Sequence, residues 1–139
     1  MSAPPKDIPA SELWLKLSSS ERPSKECDFP RKDEEGGSVG RIRLRVLTQE
    51  EQMASAVAAE ELARRFIKDG KSGQLGYERL FTDALAVEVL FRSCRDVDRP
   101  TMPFFPSPKD MRANLTTEEC SALFEHYLTV QLELGPTAL

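Results

Sequence analysis

Ala84-Leu85-Ala86-Val87-Glu88-Val89-Leu90-Phe91 sets the architecture of this chain. Read at the helical period, apolar residues fall on every side of this stretch, and a helix that is apolar all round belongs at the centre of a fold. The pattern predicts that the helix opens at Tyr77, after a glycine-bearing connection over residues 71–76. Glu88 interrupts it. Its carboxylate is expected either at an exposed edge or paired with Arg92, four residues on, where helix side chains meet.

Upstream, Thr48-Gln49-Glu50-Glu51 matches a capping box, in which the Thr48 hydroxyl accepts from an orphan amide and Glu51 reaches back to the cap. A helix is predicted from there to Gly70, with Met53, Val57, Leu62 and Phe66 as its buried stripe and alanines between. Before it, Arg41-Ile42-Arg43-Leu44-Arg45-Val46-Leu47 alternates strictly, so Ile42, Leu44 and Val46 face a core while Arg41, Arg43 and Arg45 face outward. Joined to the short segment 26–30 through Asp33-Glu34-Glu35-Gly36-Gly37, it predicts a hairpin. The outward arginines read as a solvated strand face or as a docking surface for an acidic protein. Trp14 to Leu17 fits a short strand and a helical turn equally well, and the prolines of the first nine residues suit a mobile arm.

Downstream, four prolines around Phe104-Phe105 forbid helix, yet the aromatics are expected to pack down. Ser107-Pro108-Lys109-Asp110 carries a cap, an N1 proline and an N3 acid, predicting a short helical turn to Asn114. A second box, Thr116-Thr117-Glu118-Glu119, starts the last helix, with Leu115 and Cys120 placed as a hydrophobic staple and Gly135-Pro136 as the stop. Its expected buried stripe is Cys120, Leu123, Phe124, Tyr127, Leu128, Gln131 and Leu134, leaving Glu118, Glu125 and Thr129 outside.

The expected fold class is therefore mainly α: a small helical domain of about three main helices, preceded by a short β-hairpin and a flexible N-terminal arm. Residues 1–10 form the arm and 11–139 one domain, with 11–47 carrying the hairpin and 48–139 the helical body. With 139 residues, 40% of them hydrophobic and 30% charged, the chain has the balance of one ordinary globular domain and not of a disordered segment.

The chemistry-bearing residues are sparse. His126 is the only histidine, so any triad or histidine metal site needs it, and nothing near it in sequence completes one. Cys27, Cys94 and Cys120 are too scattered for a disulfide framework and form no C-x-x-C pair, which points to a reducing compartment. No phosphate-binding glycine loop and no calcium loop occur, and no run is long and apolar enough for a membrane span. The expectation is a protein without enzymatic activity, cofactor or metal, binding neither nucleic acid nor membrane. Of 23 acidic residues, Glu118, Glu119, Glu125 and Glu133 lie after Ala113 in a segment free of Lys and Arg, so the net charge of -4 sits at the C-terminal end.

Pro103-Phe104-Phe105-Pro106-Ser107, Leu115-Thr116-Thr117-Glu118-Glu119, and Tyr127 followed by Gln131 and Leu134-Gly135-Pro136 resemble the tail assembly chaperones of long-tailed bacteriophages and prophages, and the likeness reaches more loosely back through Leu47 to Gln52. The resemblance implies a small, helical, non-enzymatic protein of the bacterial host cytoplasm that binds the tape-measure protein or other tail components, often alongside a longer frameshifted form. A homo-oligomer is compatible with it, and a structural virion component, such as a neck or tail-tip subunit, is the alternative. Within this reading Glu118 and Glu125 are the expected partner-facing residues, with Arg41, Arg43 and Arg45 as the competing surface.

Overall fold

The computed structural model describes residues 9–19, 22–68 and 74–134. The chain runs α1 (Ala10–Ser19), β1 (Ser24–Asp28), β2 (Arg41–Arg45), α2 (Gln49–Lys68), α3 (Gln74–Ser93), β3 (Cys94–Arg95), α4 (Pro108–Asn114) and α5 (Thr117–Leu134). The fold is mainly α, with five helices and one three-stranded antiparallel sheet of order β1-β2-β3 among the described residues. Most of the expected N-terminal arm, residues 1–8, lies outside them, as do the expected helix stops at Gly70 and Gly135-Pro136.

The hairpin has the register Cys27 opposite Ile42 and Lys25 opposite Leu44. Its connection closes where the Asp33 carboxylate accepts hydrogen bonds from the amides of Glu35 and Gly37, both at 2.9 Å. Gly36 there takes φ +87°, a left-handed conformation that only a residue without Cβ adopts cheaply. The short strand β3 adds Arg95 opposite Arg43 and Cys94 opposite Leu44. Two residues carry no periodicity, so no sequence pattern announced it.

All three anticipated caps form. Thr48 Oγ1 accepts from the Glu51 amide at 3.2 Å while Glu51 Oε1 accepts from the Thr48 amide at 3.0 Å. Thr116 and Glu119 repeat the exchange at 3.1 and 2.9 Å. Ser107 Oγ accepts from the Asp110 amide at 3.1 Å, with Pro108 opening α4.

Helix α3 is the centre: it packs against α2, α4, α5 and the sheet, and Ala84, Val87, Val89 and Leu90 are all buried. It opens at Gln74, three residues before the expected Tyr77, so Gly76 lies inside it. The core joins these residues to Ile42, Leu44, Val46, Leu47, Met111, Leu123, Tyr127 and Val130. Phe105 is buried and meets Phe104 edge to face, with ring centroids 4.9 Å apart, while Phe104 stays 41% exposed and stacks on Phe29.

Two expected stripes are corrected. In α2 the buried residues are Ser55, Ala59 and Ala63, whereas Met53 is 62% exposed and Val57 and Phe66 are also exposed. Small side chains let α2 and α3 approach closely, so the alanine face won the interface and the larger residues turned out. In α5, Leu128 and Leu134 are exposed, and Val130 takes the buried position. The segment from Trp14 to Leu17 is helical, and among the described residues α1 packs on no other helix or strand.

Candidate functional site

The strand β2 holds Ile42 and Leu44 in the core and presents Arg41, Arg43 and Arg45 on its other face, as alternation requires. That face is not uniformly solvated. Arg41 is exposed and 3.5 Å from the Asp28 carboxylate, but Arg43 and Arg45 are half-buried, covered by the chain that leads into β1 and by the loop after β3. Arg43 Nη2 donates to Glu26 Oε1 at 2.8 Å, and Arg45 Nη2 donates to Glu51 Oε2 at 2.6 Å. The Glu51 carboxylate, already half of a capping box, also pairs with Arg22. Burial, with Arg95 and Arg22 adding like charge, lowers the Arg45 guanidinium to about 10.

The acidic end is divided. Glu119 is buried and bound to Arg31, whose Nε and Nη2 donate to its two carboxylate oxygens at 2.5 and 2.8 Å. The Arg31 hydrogen bonds, supported by the Thr116 amide, hold this carboxyl well below its ordinary value, at about 2, against the opposing effect of desolvation. Glu133 accepts from Lys25 Nζ at 3.0 Å. Glu118 and Glu125 are exposed, and helical spacing places both on the stripe that carries Leu128 and Leu132, the latter 74% exposed. The two sets of expected site residues are thus kept apart: the arginines on the sheet, Glu118 and Glu125 on the outer side of α5.

Glu88 is buried beside Arg92, whose Nη1 lies 3.0 Å from Oε1, so the paired alternative is the one that forms. His126 is exposed on α5. The cysteines, distant in sequence, belong to one core: Cys94 is fully buried within it and Cys27 and Cys120, partly buried, pack against that core, all three as free thiols. Burial raises each thiol above its ordinary value, Cys94 most strongly. Among the described residues no group of His, Cys, Asp and Glu is arranged to hold a metal ion, and no helix is long and apolar enough to cross a membrane.

Sequence reasoning missed two features. Arg22 and Arg95 join Arg43 and Arg45 around one cavity, and no spacing connects them, because the gathering depends on β1 and β3 each pairing with β2. The exposure of Leu128 and Leu132 was hidden in a helix with apolar residues on several sides. An apolar cleft of about 600 Å³ also opens between the hairpin and the Phe104-Phe105 segment, lined by Phe29, Ile42, Phe105 and Met111 and edged by Arg31 and Arg41.

Comparison of the chain with protein-family models, curated proteins and solved structures finds no match.

Proposed function

We propose that this protein is a non-enzymatic binding protein that shields an apolar segment of a partner polypeptide, acting as a tail assembly chaperone toward a tape-measure-like protein. The observation that carries the reading is the outer stripe of α5, where Glu118 and Glu125 lie in line with exposed Leu128 and Leu132. Leucines aligned on a helix face give a partner helix an apolar contact, and the flanking carboxylates steer a basic one. The whole of α5 contains no Lys or Arg, so that steering has one sign. The likeness of residues 103–136 to the chaperones supplies the biological setting.

The test is capture of a tape-measure-like helical partner by the wild-type protein and by a Glu118→Lys, Glu125→Lys, Leu132→Ser variant. Association at low salt slows in the variant while helix content by circular dichroism is unchanged. Unaltered capture by that variant, with loss on neutralising Arg41, sinks the assignment of the surface. A structural virion component is the second reading, favoured by Leu13, Trp14 and Leu17 on α1, exposed and suited to lock onto a neighbouring subunit. Mass spectrometry of finished particles separates the two: a chaperone is absent, a structural subunit present at fixed copy number.

A further inference from the structure

Four guanidinium groups from separate parts of the chain line one cavity of about 300 Å³: Arg22 from the segment before β1, Arg43 and Arg45 from β2, and Arg95 from β3. Ser24 and Thr101 stand with them, and no carboxylate is among the described lining residues. Gathering like charges in a half-buried space is unfavourable unless something compensates them. Glu51, shared by Arg22 and Arg45, and Glu26, bound to Arg43, supply two negative charges against four positive ones. Arg95 donates only to backbone carbonyls among the described residues, those of Arg92 at 3.1 Å and Thr101 at 3.2 Å.

The hydrogen-bond accounting points to the same place. Among the described residues, the buried side-chain nitrogen and oxygen atoms without a hydrogen-bond partner are Arg22 Nη1, Arg43 Nε and Arg95 Nε. All three belong to arginines of this cavity. Arg22 Nη1 has the Glu51 carboxylate beside it, while Arg43 Nε and Arg95 Nε have no acceptor. Buried polar groups in folded proteins are nearly always satisfied, and because these nitrogens are themselves covered they record how tightly the four guanidinium groups are crowded around the cavity. The lowered Arg45 guanidinium is a consequence of the same crowding, and at neutral pH it remains charged.

We infer that this cavity is a binding site for a tetrahedral oxyanion of the phosphate class, free or as a small phosphomonoester, held by Arg22, Arg43, Arg45 and Arg95. A dianion matches the two uncompensated charges. Its several oxygens match donors arriving from different directions, whereas a single carboxylate offers only one edge, and guanidinium forks suit phosphate oxygens geometrically. The space holds a phosphate group with a few further atoms and not a macromolecular segment. The site lies on the sheet, away from the outer face of α5, and does not depend on the chaperone reading.

Isothermal titration at pH 8 with inorganic phosphate and with glycerol 3-phosphate, against sodium chloride of equal ionic strength, tests the inference. Saturable one-to-one binding is expected for at least one of them: tighter binding of the ester identifies a phosphomonoester as the ligand, and tighter binding of phosphate identifies the free ion. Arg95→Gln should weaken affinity about tenfold or more, the scale of one lost charge-assisted hydrogen bond. Arg41→Gln, outside the cavity, should leave it unchanged. Arg22→Gln gives a second variant should Arg95→Gln fail to fold. No binding beyond the chloride control, binding that survives both cavity substitutions, or equal loss in Arg41→Gln overturns the assignment.

Discussion

Arg31, in the hairpin connection, holds Glu119, in the first turn of α5, through two hydrogen bonds of 2.5 and 2.8 Å. The same carboxylate accepts from the Thr116 amide, so one side chain both caps the last helix and fastens the hairpin to it. Arg31 also donates to the Asn114 carbonyl at 3.2 Å, which ties the end of α4 into the same joint.

Glu119 therefore makes stability depend on acidity. A carboxyl depressed from 4.5 to about 2 by folding contributes stability that is fully present above about pH 4.5 and is lost as pH falls toward 2. Glu119→Gln should cost about 1–2 kcal/mol at pH 7, the low part of the charged hydrogen-bond range because Arg31 is partly solvated. Urea midpoints of the two proteins measured from pH 7 to pH 2 should converge on acidification. A gap that stays constant would show that the carboxylate's charge is irrelevant.

Helix α5 should rest on Leu123 and Tyr127 more than on Phe124, which is only partly buried. Leu123→Ala, at a fully buried position, should cost about 2–5 kcal/mol by transfer and cavity terms. Phe124→Ala should cost less than Leu123→Ala in chemical denaturation, despite the larger side chain removed. The reverse order would place the core on the other side of the helix.

The interface between α2 and α3 tolerates no added volume. Ala59→Leu should destabilise by about 1–3 kcal/mol through overpacking, while Met53→Lys, on the outer face, should stay within about 0.5 kcal/mol of wild type. Thermal melts of the two variants decide it.

Thiol accessibility should follow burial. In denaturant all three cysteines are expected to react with a thiol reagent, and in the folded protein Cys94 should be the slowest, because its thiol is buried and its ionisation suppressed. Fast labelling of Cys94 under native conditions would contradict its place in the core.

The parts of the fold legible in the sequence were those written in local chemistry. Thr48 with Glu51, Thr116 with Glu119 and Ser107 with Pro108 and Asp110 each specify a helix start within four residues, and each start formed. The alternation around Leu44 likewise placed β2. What failed was choice among faces. Met53 and Val57 obeyed the helical period as well as Ala59 and Ala63 did, and only the closeness of α3 decided between them. For the candidate sites, the outward direction of Glu118 and Glu125 was readable from spacing. The burial of Arg43 and Arg45 was not, because Arg22 and Arg95 reach them only through tertiary pairing.

The passage from α3 into β3 has a mechanical meaning. Ser93 ends the helix and Cys94 begins the strand, with no residue between them, and Ser93 Oγ donates to the Arg45 carbonyl at 2.8 Å. Any slide of α3 along its axis would shear the Leu44–Cys94 and Arg43–Arg95 pairs at once. The central helix and the sheet are joined as one strut, so an axial displacement of α3 passes through β3 to β2 and from there to the hairpin.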